Sequence, residues 1–227
     1  MPRGKQSKGQ CTYCQMELVK NVVTKHLATC PQRQAIIQQA EKKKGKPETL
    51  FHLRVQSADS KDFWMDLEMR GSKTLQDLDS YLRAIWLECC GHLSEFSIGA
   101  WTEDKFEMDE RIANVFSQTT TVTHLYDFGT TSETHISLIG TREGHPTTAR
   151  PLALMARNLM PEVKCTECGK PATEFCMECV VEEDQPGHLC EEHATDHPHD
   201  DYGEPIPLVN SPRMGMCGYE GPAEAPY

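Results

Sequence analysis

No stretch of the 227 residues comes near the run of about 20 apolar residues that a membrane-spanning helix needs. Nor does an apolar segment follow Met1 in the manner of a secretory signal. The expectation is a soluble protein of the cytoplasm, with no membrane partner and with thiols kept reduced. A phosphate-binding glycine loop and an H-E-x-x-H helix are also missing, which removes the commonest nucleotide and metalloprotease chemistries. Basic residues are scarce beyond the first 49 positions. Residues 1–49 carry ten Lys and Arg against three Asp and Glu, residues 50–142 eight against fifteen, and residues 143–227 five against sixteen. The net charge of −11 therefore hides one basic segment, the only one attractive to a polyanion.

Cysteine is nearly absent from the middle of the chain. Of eleven cysteines, Cys11, Cys14 and Cys30 lie near the start, six lie from Cys165 onward, and only Cys89 and Cys90 fall between. The two ends are correspondingly poor in apolar residues. This distribution predicts a middle that folds by hydrophobic burial and ends that fold around metal.

At the N-terminus, after a basic lead over residues 1–10, the spacing is C-x2-C-x11-H-x3-C, from Cys11, Cys14, His26 and Cys30. A C-x2-C pair sets two sulfurs on one knuckle, and the i, i+4 spacing of His26 and Cys30 places both on one helix face. The pattern is that of a C2HC zinc finger. Leu18, Val22, Val23 and Leu27 are the expected apolar cluster beneath it. Lys20, Lys25, Arg33 and Lys42 to Lys46 form a candidate phosphate-contacting face, or else a solvated helix and linker.

At the other end come Cys165-x2-Cys168, Cys176-x2-Cys179, Cys190-x2-His193, then His197 and His199. Structural zinc takes four such ligands, so eight make two sites and the chain is expected to hold three zinc ions in all. Disulfides are the competing reading, but x2 spacing and interleaved histidines suit metal better. The order of pairs resembles the B-box and related cross-braced zinc modules. That resemblance implies one site from Cys165, Cys168, Cys190 and His193 and another from Cys176, Cys179, His197 and His199. The single residue between His197 and His199 leaves His188 or Cys217 as an alternative to one of them.

Between the ends, LFHLRVQS and DFWMDLEMR alternate apolar and polar residues and predict a hairpin, with Phe51, Leu53, Val55, Phe63, Met65, Leu67 and Met69 inward. Ser72 to Thr74 can cap a helix carrying Leu75, Leu78, Leu82 and Ile85. A strand with Leu93, Phe96 and Ile98 follows, then a short helix with Ile112, Val115 and Phe116, then a second hairpin around Gly129-Thr130-Thr131-Ser132. The predicted class is α+β: a central domain of hairpin, helix, strand, short helix and hairpin, flanked by two small zinc-stapled modules. The expected divisions are 1–49 for the finger and its basic helix, 50–143 for the central domain, 144–164 for a linker whose PLALMARNLMP portion can dock on it, and 165–227 for the double zinc module and its Pro/Gly-rich tail.

The helix TLQDLDSYLRAIW, the strand HLSEFSIG, and the YDFG turn with a histidine eight residues past its aspartate resemble the plasmid pRiA ORF-three-like family over residues 50–142. The closing NSPRMGMCGY resembles the tail of its zinc-bearing members. The resemblance implies an α+β fold and an association with plasmid and transposon genes, and little about activity. The Trp-Arg pair common in the family is split here into Trp64 and Arg70, and Thr130 and Thr131 replace the acidic residue and tryptophan that often follow YDFG.

Two functions are compatible with these residues. One is a non-enzymatic interaction or regulatory protein whose basic finger contacts nucleic acid and whose acidic modules contact protein. The other is an enzyme with a site on the central sheet around His124, Asp127 and His135, joined by His92. Cys89 and Cys90, at the end of an apolar helix, read as buried structural thiols.

Overall fold

The computed structural model describes residues 7–199 and 201–222. Most of the basic lead expected over residues 1–10 lies outside the described residues. The chain is a mixed helix and strand structure built on a large antiparallel sheet. None of its helices is long and apolar enough to cross a membrane, among the described residues.

The sheet's centre is the hairpin of β3 (Glu48–Ser57) and β4 (Trp64–Arg70), flanked on the β3 side by β8 (Ser132–Gly144). β7 (Thr121–Tyr126), β5 (Ser94–Ser97) and β6 (Lys105–Phe106) continue outward from β8. On the β4 side stands β9 (Leu152–Asn158), then β1 (Lys8–Cys11) and β2 (Glu17–Val19). Phe51, Leu53, Val55, Met65, Leu67 and Met69 share one face and pack under α3 (Leu75–Leu82) and α4 (Ile112–Gln118). Thr74 caps α3 through a reciprocal pair of bonds with Asp77. α3 then loosens into a π-helical turn, Arg83–Leu87, which buries Ile85, Trp86 and Leu87.

The PLALMARNLMP stretch docks on the central domain as expected, in the form of a strand. It contributes β9, an internal strand held by β4 on one side and β1 on the other. One expectation about the sheet needs correction: strand β4 is buried on both faces. Trp64, Asp66 and Glu68, the face expected to meet solvent, lie beneath α1 (Lys20–Thr29) and α2 (Pro31–Ala40). Trp64 packs with Cys11, Val23, Leu27 and Cys30 of the N-terminal segment and with Met155 and Ala156 of β9. Residues 7–40 thus sit on the back of the central sheet and extend it through β1. Val22 stays exposed. Of the residues expected in the β5 core, only Phe96 is buried; Leu93 and Ile98 lie just outside the strand, in solvent.

The C-terminal region has its own three-stranded sheet, β11 (His188–Leu189), β10 (Glu174–Phe175) and β12 (Ile206–Pro207), with the short helices α5 (Met177–Val181) and α6 (Glu191–Thr195) beside it. Its tail turns back onto the central domain, where Ser211 Oγ donates to the Trp86 carbonyl at 2.6 Å.

Candidate metal centres

Cys11 ends β1 and Cys14 closes the turn after it, with Gln15 in the left-handed region (φ 61°) and its amide donating to the Cys11 carbonyl at 2.9 Å. That tight reversal aims both sulfurs at one point. α1 delivers His26 from its last turn, and Cys30 sits in the extended link before Pro31 opens α2. The four donor atoms lie within 4.8 Å of one another, Cys14 Sγ and His26 Nε2 at 3.3 Å. Thr12 fixes the knuckle to β9, its amide donating to the Met155 carbonyl at 3.0 Å and its hydroxyl to the Leu154 carbonyl at 2.7 Å.

The eight C-terminal donors form two clusters. Cys165, Cys168, Cys190 and His193 make one, with Sγ atoms of Cys168 and Cys190 at 3.7 Å and His193 Nδ1 at 3.4 Å from Cys165 and Cys190. Cys176, Cys179, His197 and His199 make the other, with Cys179 Sγ at 3.2 Å from His197 Nε2 and 3.3 Å from His199 Nδ1. His199 turns its Nε2 toward Glu183 at 3.4 Å, the outer carboxylate that metal-bound imidazoles commonly have. Burial opposes ionisation of Cys165, yet backbone amides of Cys190, Cys168 and Glu167, with His193, bring its thiol down to about 6. His188 stays outside both clusters, its ring 5.9 Å from that of Phe175. Cys217 lies elsewhere, beside Cys89, Cys90 and His92.

The donor spacing fits a tetrahedral cation. Metal–sulfur bonds of about 2.3 Å give tetrahedral edges of about 3.8 Å, somewhat shorter where nitrogen replaces sulfur. The closest donor contacts in the three clusters run from 3.2 to 3.8 Å, and all four donors of each lie within 4.8 Å of one another. All eleven cysteines are free thiols. Sulfur and imidazole donors in this arrangement are compatible with zinc.

The central-sheet constellation assembles only where His92 Nε2 lies 3.4 Å from Asp127 Oδ2, and His124 and His135 stand apart from that pair. His124 is fully buried and bonds Asp79 at 2.8 Å on the helical side of the sheet. In the β7–β8 register His124 faces Thr134, so His135 projects from the opposite face, where it is exposed and bonds Glu133. Asp127 is engaged by Arg213 at 2.6 Å. The basic face also shrinks. Arg33 is buried and donates to Glu68 and to the Leu27 carbonyl, and Lys20 bonds Gln56 and the Lys61 carbonyl. Burial is the main cause bringing the Lys20 ammonium down to about 8. Lys25, Lys42, Lys43, Lys44 and Lys46 remain exposed.

Fold and site together define a mixed α/β chain that carries Cys/His clusters able to hold metal. No protein-family model matches it, and a search of curated proteins finds no match. Among solved structures it is similar to a protein of unknown function, MM3350 from Methanosarcina mazei Go1. That match has a TM-score of 0.41 and 18% identity, and covers 48% of this chain and 69% of that one.

Proposed function

We propose that the chain is a zinc-stapled, non-enzymatic interaction protein with three structural zinc ions, a central domain of the plasmid pRiA ORF-three-like family, and a B-box-like double zinc module. The observation that carries the structural role is that each cluster brings four protein donors together. A catalytic zinc keeps a position for water, whereas four donors close the site. Zinc in such a site contributes folding energy directly. The exposed lysines after α2 are the surface for nucleic acid, contacting phosphates without reading bases. The acidic C-terminal module is the surface for protein.

Elemental analysis of the reduced full-length chain tests the metal part. Cys14→Ser, Cys168→Ser and Cys179→Ser are each expected to lose one equivalent of zinc, and a wild-type chain that carries none overturns the reading. Co-purification before and after nuclease treatment tests the partner.

A further inference from the structure

Cys89 and Cys90 have no partner at metal-ligand spacing in the sequence, and they stand where the π-helical turn ends. Gly91, at φ 78°, reverses the chain immediately after them. His92 consequently comes back with Nε2 2.9 Å from Cys90 Sγ, while the two sulfurs lie 3.6 Å apart. Cys217 arrives from the far end of the sequence. Its segment is anchored by partners outside the cluster: Ser211 on the Trp86 carbonyl, and the fully buried Arg213 on Asp127, the Thr130 carbonyl and Ser132 at 2.6, 2.8 and 3.0 Å. Cys217 itself takes a left-handed conformation (φ 51°), which turns its side chain back toward the pair. The four donor atoms all lie within 4.8 Å of one another.

We propose that Cys89, Cys90, His92 and Cys217 form a fourth metal site that takes one zinc-class cation. Three thiols and an imidazole are a donor set of the borderline-soft kind that zinc selects. The 3.6 Å between the adjacent sulfurs is a tetrahedral edge, and well beyond the roughly 2.05 Å of a disulfide. The local backbone is also that of two of the other clusters. A left-handed residue follows Cys14 (Gln15) and Cys168 (Gly169), just as Gly91 follows Cys90 and Gly218 follows Cys217. Arg213 supplies an outer shell: its Nη2 is 3.4 Å from Cys89 Sγ and 3.6 Å from Cys217 Sγ. The guanidinium, itself paired with Asp127 at 2.6 Å, donates toward both sulfurs and so favours their thiolate form.

The site clips the tail to the π-helical turn that follows α3. Because Gly215 in the same tail lies against Phe175 and Met177, with no room for a side chain, the clip also holds the C-terminal module beside the central domain. The four donors of this cluster are assembled by their own backbone and anchors, whether or not metal fills the other three.

Differential alkylation of the full-length, metal-loaded chain, read by peptide mass spectrometry, tests it. Cys90 and Cys217 have exposed side chains, yet both are expected to resist iodoacetamide until a chelator is added. Cys90→Ser and Cys217→Ser are each expected to lose one equivalent of zinc while the cysteines of the other three clusters stay protected. Cys217→His, which restores a donor, is expected to recover it. Rapid alkylation of Cys90 and Cys217 in the loaded chain, unchanged zinc in both serine variants, or protection that survives the chelator as a disulfide would each overturn the proposal. Since the map is read residue by residue, failure at this site and failure at the other three are separately visible.

Discussion

Arg33 of α2 and Glu68 of β4, 35 residues apart, form a buried ion pair at 2.7 Å. Glu68 also receives two bonds from Arg142 of β8, at 2.9 and 2.7 Å. One carboxylate thereby joins the second helix of the N-terminal segment to two strands of the central sheet. Removing one partner of a buried pair costs roughly 3–5 kcal/mol when the other charge is orphaned. Here Arg142 remains, so Arg33→Ala is expected to destabilise the whole chain by about 2 kcal/mol. Urea midpoints measure it; an unchanged midpoint would mean that the finger rests on the sheet without contributing to its stability.

The same carboxylate gives a pH signature. Burial alone would raise the Glu68 pKa, but the hydrogen bonds and charge of Arg142, with those of Arg33, hold it below the ordinary value. A depressed folded-state pKa contributes stability that is complete above the unfolded value of about 4.3 and is lost as pH falls through the folded value. Glu68→Gln lacks that contribution. The gap in urea midpoint between wild type and Glu68→Gln is therefore expected to be widest near pH 7 and to close below about pH 4. Metal release in acid affects both proteins alike, and the difference between them isolates Glu68.

Trp64 reports directly on docking. It is fully buried between the finger and β9, and its indole N–H donates to Ser7 Oγ at 2.8 Å. If the first metal cluster folds the cover over this ring, Cys30→Ser is expected to red-shift the tryptophan emission. In a Trp64→Phe background the shift should vanish, since Trp86 lies under the opposite face and Trp101 is already exposed. A chain of independent modules would show no such shift.

The extent to which this architecture can be read from sequence follows from how far apart its partners lie. The central α3, with its Thr74 cap and apolar spacing, is local, and so are the C-x2-C knuckles and the alternation of β3. The docking of the finger is not local. β1 is only Lys8-Gly9-Gln10-Cys11, a sequence without strand character, and it becomes a strand because β9 offers an edge. β9 itself reads as a linker because its pairing partners are more than 80 residues away. In β4, Asp66 and Glu68 look solvent-facing by alternation, and only the converging Arg54, Arg33 and Arg142 make their burial possible. Cys217 is separated from Cys90 by most of the chain, and no spacing rule connects them.

Gly9 marks where β1 meets the sheet. A Cβ at this position would come within 2.5 Å of both the Arg157 carbonyl and the Trp64 ring, neither of which can withdraw. Gly9→Val is therefore expected to unpair β1 from β9, at a cost of about 2–3 kcal/mol. Hydrogen exchange would show it as lost protection at the Thr12 and Leu159 amides, which donate across that pairing to the Met155 and Lys8 carbonyls. If protection there survives, the strand is not held in the observed register.

The final prediction concerns the polyanion surface, and the structure divides its lysines in two. Lys42, Lys43, Lys44 and Lys46 lie in the exposed turn after α2, while Lys20 and Arg33 are occupied within the fold. The turn is itself fastened, since His145 Nδ1 donates to Glu41 (2.9 Å) and its Nε2 reaches the Gly45 carbonyl (3.3 Å). Each phosphate neutralised on B-DNA contributes about −0.9 to the slope of log K against log salt. Replacing the four exposed lysines by alanine in the full-length chain should thus weaken binding to a mixed-sequence duplex and flatten the slope by up to about 3.6. Lys20→Ala should leave the slope unchanged, because its ammonium is already bonded to the Lys61 carbonyl and the Gln56 side chain. The acidic remainder of the chain opposes the approach of DNA, so the binding should be weak and lost at moderate salt. If the four-lysine variant binds as wild type does, or if neither is retained at low salt, the basic turn is a solvated surface and the finger serves only to cover the back of the sheet.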